Sequence, residues 1–499
     1  MNYYRIFLLL VLGLLFAEGG RAQSISFDPL PTVKGITKKG IPQFIGSDSL
    51  GTVLVQYGGR LKNRMELVCY DGEMKEQATV PLQNTGDVSC YGGYINGPHI
   101  DLLQVAISDT ALSVYRDRRD RTSLNPVGGP AMLAHYPGQK GDEFAFGMGV
   151  SADGKLLAGV AVANRGVQGT EVKVGLYDHE LKPYWTHNCS EAVFSNVYVT
   201  DSGDVVLYTL GRLTTTGRRR GRTVTDDNIA RFTIVDGTQE LHVEFALPES
   251  DLIMDKALLR YGDGNILIAA AVRKENHSVM PIGSNVDAIN IYCYNIASQK
   301  LTVEQHPFTL YEVNRLTNEK ETSKQRHFWV QFGQISQCIA DADGAYLMVD
   351  QQWRTTLNNV PVAQQRMGMM VMRVDRNGKV KWTTVRRFNG NTSWDQRDYL
   401  DHRWMATPTG IMLAWVDHIS NIGFPLTKPY KIFTPFKSKG TLNVWTLGPD
   451  GKEDISFLEV SRSALAGSTH RLEEPGHYVV LLSSGNKQQL VKIACVNPF

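Results

Sequence analysis

Beyond its first two dozen residues the chain has no apolar run approaching the roughly 20 residues that a bilayer-spanning helix needs. It has no excess of either charge: 52 Lys and Arg stand against 50 Asp and Glu, a formal net charge of +2. So balanced a surface projects no field that gathers nucleic acid or an anionic membrane, and neither is expected as a partner. None of the six cysteines (Cys69, Cys90, Cys189, Cys293, Cys338, Cys495) sits in a C-x-x-C or other metal spacing, so neither metal nor cofactor is expected. Most lie in strand-like runs such as MELVCY and INIYCY, where a buried free thiol acts as a small hydrophobe. No long stretch repeats its apolar residues at a 3.6-residue period, which leaves a chain that is mostly or wholly β.

What is present begins with MNYYRIFLLLVLGLLFAEGGRAQ. Arg5 precedes an apolar core from Ile6 to Ala17, and Gly20 and Ala22 occupy the two positions a signal peptidase reads. This predicts cleavage before Gln23, with residues 1–22 as a signal peptide and 23–499 as a single propeller domain. The apolar core, about 12 residues, is too short for a permanent span, and no Cys stands at the cleavage point to mark a lipoprotein. The AQ ending followed directly by SISF resembles the leaders of exported Bacteroidetes-type proteins. A secreted, periplasmic or outer-surface location is expected, with no stable membrane span after cleavage. An oxidising compartment permits disulfides without specifying a pairing.

The domain assignment rests on repeats. Runs rich in β-branched and aromatic residues, such as TVLVQY, VVLYTL, ILIAAAV, AYLMVD, IMLAWV and HYVVLL, are bounded by Gly, Asp, Asn or Pro, as strands are. Turns bearing Gly51, Gly154, Gly203, Gly264, Gly344, Gly410 and Gly476 precede such runs, recurring roughly every 50 to 80 residues with one longer gap. That gap holds IDLLQVAISDTALSVYRDR, a degenerate unit with a short turn. Further along each unit a second apolar run ends in a turn at Asp71, Asp178, Asp236, Asn295, Asp375 or Asp450, residue types that tolerate the left-handed backbone of a tight hairpin. Each unit therefore reads strand, Gly turn, strand, variable loop, strand, Asp/Gly turn, strand: one four-stranded antiparallel blade. Units fall near 40–85, 90–125, 140–190, 193–247, 252–310, 328–390 and 400–460, and the remainder from about 465 supplies only three strands. SISFDPLPTV is the orphan strand that completes that remainder. The expectation is an all-β, eight-bladed β-propeller, with seven blades as the alternative, its ring closed by pairing of the N- and C-terminal strands.

VDRNGKVKW (374–382) and LYDHELKPYW (176–185) share one pattern: Asp375, Lys379 and Trp382 in the first, Asp178, Lys182 and Trp185 in the second. YDGEMKEQA keeps Asp71 and Lys75 only, and LGPDGKEDISF has Phe457 where Trp would stand. The pattern D-x-(N/G)-G-K-x-x-W resembles the repeat of quinoprotein-type propellers, among them the non-catalytic scaffolds of outer-membrane assembly. That resemblance implies a Trp that packs as a peg between neighbouring blades and an Asp that caps the turn. Burying an indole removes ~150–250 Å² from water, which suits a structural role. The vicinal cysteine pair of the quinone-binding enzymes is absent, and so are the S-x-D-x-G-x-x-W boxes of sialidase-like propellers.

Antiparallel connectivity puts the Gly turns and the Asp/Gly turns on one face of the ring, tight and uniform. The second-to-third connections and the blade-to-blade crossings share the other, where the chain spends its length: 212–227, 273–287, 352–366 and 417–440. Loops on a rigid scaffold carry binding groups, so the ligand surface is expected there. SWDQRDYLDHRW (393–404) gathers Asp395, Asp398, Asp401, His402, Arg403 and Trp404, a set suited to acid/base work or to salt bridges between blades. KQRHFWVQF (324–332) brings Arg326, His327 and Trp329, suited to stack on a sugar or fork onto an acidic group, or to form a core Trp with a solvated basic edge. RRRGR (218–222) suits a polyanion or a solvated loop. The resulting reading is a monomeric, non-enzymatic binding or scaffolding module for a cell-surface glycan or an envelope protein, with Trp404, Arg403, Trp329, His327 and Arg326 as the binding set. The alternative is a carbohydrate-active hydrolase or lyase using Asp395, Asp398, Asp401 and His402, which requires two carboxyls within ~10 Å around a pocket.

Overall fold

The computed structural model describes residues 24–31, 33–34, 43–58, 64–82, 87–139, 142–164, 170–178, 180–189, 195–211, 229–248, 252–273, 285–316, 330–331, 333–357, 360–393, 400, 402–422, 430–471, 476–484 and 487–496. They form eight four-stranded antiparallel blades of one β-propeller. Blades one to seven span 43–82, 87–137, 143–189, 196–246, 252–307, 333–393 and 403–460. In each the first strand lies innermost, and first strands of neighbouring blades touch: Gln43–Asp48 against Asp87–Asn96, and Leu252–Gly262 against Gly333–Asp341. Blade eight takes Ala464–Arg471, His477–Ser484 and Lys487–Val496 from one end of the chain and its outermost strand, Ser24–Pro29, from the other. Ser24 stands opposite Val496 and Pro29 opposite Val491, and the Leu30 amide donates to the Leu490 carbonyl at 2.9 Å. The expected closure and the count of eight both hold.

The unbroken apolar runs have a simple cause. Every residue from Ile266 to Val272 is buried, as is every residue from Ile411 to Val416, because both faces of a blade are covered by its neighbours. The apolar clusters accordingly lie between blades. Blades one and two share Val53, Leu67, Ile100 and Leu102; blades four and five share Phe232, Phe245, Ile268 and Tyr292; blades eight and one share Val479, Leu481, Leu54 and Tyr70. Each such aliphatic or aromatic side chain contributes ~1.5–3 kcal/mol when fully buried.

The repeated Asp motif is the joint between blades. Asp375 Oδ1 accepts the amides of Asn377 and Lys379, both at 2.9 Å, and Asp178 Oδ1 those of Glu180 and Lys182, both at 2.8 Å. The residue three beyond the Asp is left-handed and faces the preceding blade. In blade six it is Gly378 (φ 86°), where an added Cβ would lie 3.2 Å from Cys293 Cβ. Blades one and three place Met74 (φ 57°) and Leu181 (φ 56°) there instead. Met74 is buried among Val479, Leu481 and Leu490 of blade eight, and Leu181 among Leu103, Leu112 and Tyr136 of blade two. The Trp faces the following blade: Trp382 Nε1 donates to the Pro449 carbonyl at 2.9 Å and its ring lies on Gly451, while Trp185 lies on Gly237. The Asp cap and the Trp peg thus have the structural roles assigned to them.

Two features depart from the sequence reading. A short helix, Leu310–Leu316, follows blade five. Its capping box is reciprocal: Glu312 N donates to Thr309 Oγ1 at 3.2 Å and Thr309 N to Glu312 Oε2 at 2.8 Å. Blade two joins its second and third strands by two residues only, Asp109 and Thr110, and instead lengthens its third hairpin, residues 121–130. The tight face is therefore not uniform. From that hairpin Arg121, buried, reaches Asp48 of blade one at 2.9 Å and Cys69 Sγ at 2.8 Å. The six cysteines form no disulfide. Among the described residues no helix is long and apolar enough to cross a membrane.

The left-handed Leu181 yields a test. Leu181→Ala keeps the strained backbone and loses the contact with blade two, at a cost of about 2–5 kcal/mol. Leu181→Gly loses the same contact but relieves the strain, so it should be less destabilising than the Ala variant by about 1 kcal/mol in denaturant unfolding. An Ala variant more stable than the Gly variant would show that the strain is not there.

Candidate functional site

The strand order puts the first and third hairpins of every blade on one face and the second connections and crossings on the other. Blade six is built out on the latter. Its first strand, Gly333–Asp341, has 9 residues, whereas Gly344–Leu357, Val360–Asp375 and Val380–Ser393 have 14, 16 and 14. The three longer strands run on past the ring as a projecting sheet. The long connection of blade seven adds to its edge: Phe433, fully buried, donates from its amide to the Asn389 carbonyl at 2.7 Å and accepts from the Asn391 amide at 2.9 Å. Buried and half-buried polar side chains brace the projection, with Gln364 Nε2 donating to Gln352 Oε1 at 3.1 Å and Gln365 Nε2 to Asn389 Oδ1 at 3.2 Å. The Arg387 guanidinium lies 4.5 Å from the Tyr430 ring centre.

Of the residues singled out in sequence, Asp395, Asp398, Asp401, Arg326, His327 and Trp329 lie outside the described residues. His402, Arg403 and Trp404 lie at the start of blade seven's innermost strand, Arg403–Thr407, and the residue before it. His402 is fully buried, its ring edge-on to Phe388 and Trp415 at 4.9 and 6.5 Å, with Asp350 Oδ2 3.8 Å from Nδ1. Burial, then the charges of Arg366 and Arg403, push its imidazole well below the usual histidine range, so it is neutral and sealed from solvent. Trp404 is half-buried against the core shared by blades six to eight.

The stem of the blade-seven connection carries an unusual carboxyl. Asp417 Oδ1 accepts from the His418 amide at 2.7 Å and from Asn421 Nδ2 at 2.8 Å. Asn421 also grips the returning chain, accepting from the Lys431 amide at 2.8 Å and donating to its carbonyl at 2.9 Å. Asp417 is almost wholly buried, and that burial pushes its carboxyl up to about 7 against the lowering effect of the two hydrogen bonds.

A second concavity lies on the opposite, tight-turn face, where no site was expected. First hairpins of blades three to six surround a cleft of about 300 Å³ lined by Tyr198, Asp201, Ser202, Asp204, Arg260 and Tyr261, among others. Two further hollows hold only about 10 Å³ each. Arg260 is 8% exposed; its Nη2 donates to Asp263 Oδ2 at 2.9 Å and its Nε to the Asp341 carbonyl at 3.2 Å, while Nη1 has no hydrogen-bond partner among the described residues. Burial, then the neighbouring Asp153 charge, raise the Asp201 carboxyl. The sequence signal was the acidic content of neighbouring turns, TDSGD, YGDG and DADG, which had been taken as hairpin chemistry alone. Among the described residues no three His, Cys, Asp or Glu side chains converge as metal ligands would.

No family model matches the chain and no curated protein does. Among solved structures it is similar to a mutant of Synechocystis apocarotenoid oxygenase at 11% identity, over 93% of this chain and 97% of that one, with a TM-score of 0.33. The cobalt-substituted Synechocystis enzyme gives 11% identity, 93% and 97% coverage, and a TM-score of 0.32. Likeness at that level says nothing about what this chain binds, and none of these findings bears on the quinoprotein-type or Bacteroidetes-type resemblances. The class that remains is an eight-bladed β-propeller, a fold that supports a binding or scaffolding module in general.

Asp417 sets a pH dependence. Its folded pKa lies above the ordinary carboxyl value, so between about pH 4 and 7 the folded state holds a proton that the unfolded state has released. Stability from this group therefore falls as pH rises through that window and levels off above it. Asp417→Asn keeps both hydrogen bonds and should remove the fall, leaving the variant more stable than the parent at pH 8 and little changed at pH 4. Thermal midpoints across that range measure the difference; parallel curves for parent and variant would refute it.

Proposed function

We propose that the chain is an exported, monomeric propeller, a signal peptide at 1–22 followed by one domain at 23–499, that binds a cell-surface glycan or an envelope protein through its long-connection face. The observation that carries this reading is the projecting sheet of blade six. Its second to fourth strands exceed their own first strand by 5 residues or more, and the blade-seven segment around Phe433 is docked on its edge. The docked segment adds Phe433 to the core shared by blades six to eight, whereas the added strand length is paired beyond the reach of the first strand, and that investment favours a surface presented to a partner. Trp404 and Arg403, at the start of the innermost strand beside this projection, are the proposed contacts, together with Arg326, His327 and Trp329 of the preceding crossing. Buried aromatic and arginine anchors dominate such interfaces. The hydrolase or lyase reading has no observation of its own, since its carboxylates lie outside the described residues and His402 is sealed and neutral.

The test is a glycan array together with co-precipitation of envelope proteins, run on the parent, Trp329→Ala and Trp404→Ala. Each variant should weaken capture by a factor of roughly 30, about 2 kcal/mol, with far-ultraviolet circular dichroism unchanged. Undiminished capture by both folded variants would move the ligand surface away from these crossings.

A further inference from the structure

We propose that the tight-turn cleft between blades three and six is a binding site for a neutral saccharide, separate from the long-connection face. Its walls come from hairpins far apart in sequence that only the closed ring brings together: Tyr198, Asp201, Ser202 and Asp204 from blade four, Arg260 and Tyr261 from blade five. The volume, about 300 Å³, stands at the lower end of the range for small-molecule sites.

The charges around it decide the ligand. Asp263 is engaged by Arg260 at 2.9 Å, and Asp341 by Arg373 at 2.8 Å. Asp201 and Asp204 pair with no cation among the described residues; Asp201 takes the Asp153 amide at 3.1 Å, and Asp204 Oδ2 takes Ser202 Oγ at 3.0 Å. The cleft therefore offers carboxylate acceptors on one side. On the other is a buried guanidinium with one nitrogen left over, Nη1 of Arg260. Gly262 leaves the space that this guanidinium fills, since a Cβ there would lie 2.9 Å from Nη2. A ligand that satisfies both sides must donate to the carboxylates and accept from the arginine. An ammonium ion accepts nothing, and an anion, even one such as hydrogen phosphate that can donate, is repelled by two carboxylates with no cation paired to them among the described residues. A hydroxyl does both, and several hydroxyls on one small ring meet both walls at once. The tyrosine rings add apolar surface for the C–H face of such a ring. Ser202 Oγ also lies 2.8 Å from Thr200 Oγ1, so the acceptor side is already ordered before any ligand arrives.

The experiment is saturation-transfer NMR followed by calorimetric titration of the purified protein with a panel of free neutral mono- and disaccharides, and, in parallel, with ethylammonium and inorganic phosphate. At least one sugar should bind, and neither ion. Asp201→Asn and Asp204→Asn, which preserve shape, should each weaken the sugar by roughly tenfold with an unchanged unfolding midpoint. Tyr261→Ala, which removes the apolar ring, serves as a third variant should either asparagine form fail to fold. The proposal is overturned if no sugar of the panel binds, if sugar binding survives all folded variants, or if ethylammonium or phosphate binds in its place and is lost in the same variants. Its failure leaves the long-connection reading untouched, because those two aspartates lie at hairpins of the tight-turn face and Trp404 lies at the other end of its strand.

Discussion

Each blade of this protein is apolar on both faces, and from that constraint the ring follows. A sheet such as the one holding Ile266–Val272 has no solvent side to give up, so it must be sandwiched, and so must the sheets that sandwich it. An open row of blades would leave two such faces bare; bending the row until the first blade meets the last removes both. The interface of blade eight with blade one, built from Val479, Leu481 and Leu490 against Leu54, Val68 and Tyr70, is that meeting. The chain secures it covalently as well as by packing, since blade eight is made from both ends of the sequence. Ser24–Pro29 covers the edge of Lys487–Val496 that would otherwise be open to another chain, and Ile25 and Phe27 pack against the core shared by blades six to eight.

Packing alone leaves blades free to slide past one another, and the Asp motif restrains them. Its Asp fixes the hairpin, its left-handed residue engages the blade before, and its Trp engages the blade after. Arg121 to Asp48, Arg260 to the Asp341 carbonyl and Tyr478 to the Ala406 carbonyl are polar joints of the same kind between neighbours. All of these lie at or beside first or third hairpins, on the tight-turn face, so that face is the better restrained. A cleft formed there is preorganised by contacts that exist for the sake of the ring, which lowers the ordering cost of any ligand it receives.

Much of this was legible in the residues and some was not, for identifiable reasons. Blades were legible because a doubly covered strand is a short continuous apolar run, and the closure was legible because the last unit lacked a strand that the first residues supplied. The helix Leu310–Leu316 was missed because two turns are too few to establish a 3.6-residue period, although Thr309 and Glu312 at capping-box spacing announced it. Met74 and Leu181 stand where VDRNGKVKW has Gly378; their buried contacts with another blade, invisible along the chain, are what hold them left-handed. The cleft was illegible for a related reason. Asp201, Arg260 and Asp341 belong to three different units, and nothing in any one of them says that their hairpins converge. His402 was legible as polar chemistry but not as core, since only the fold sets it between Phe388 and Trp415.

The two faces follow different physical rules, and this is what frees one of them for recognition. Hairpins on the tight-turn face are fixed by the joints between blades, so a change in their length disturbs the ring. Connections on the other face send a few side chains into the cores between blades, as Phe433, Val313 and Leu316 do, but their length is otherwise unconstrained, and adding to it costs only the slowly growing entropy of loop closure. Length added there still has to satisfy its own backbone. Blade six does so by continuing its strands as paired sheet, and blade seven by laying Phe433 along the edge of that sheet and tying its stem with Asn421. An addition that is hydrogen-bonded, apolar beneath and anchored at its base is a platform rather than slack, and a platform keeps the side chains it carries in one arrangement, the condition under which a surface discriminates among partners.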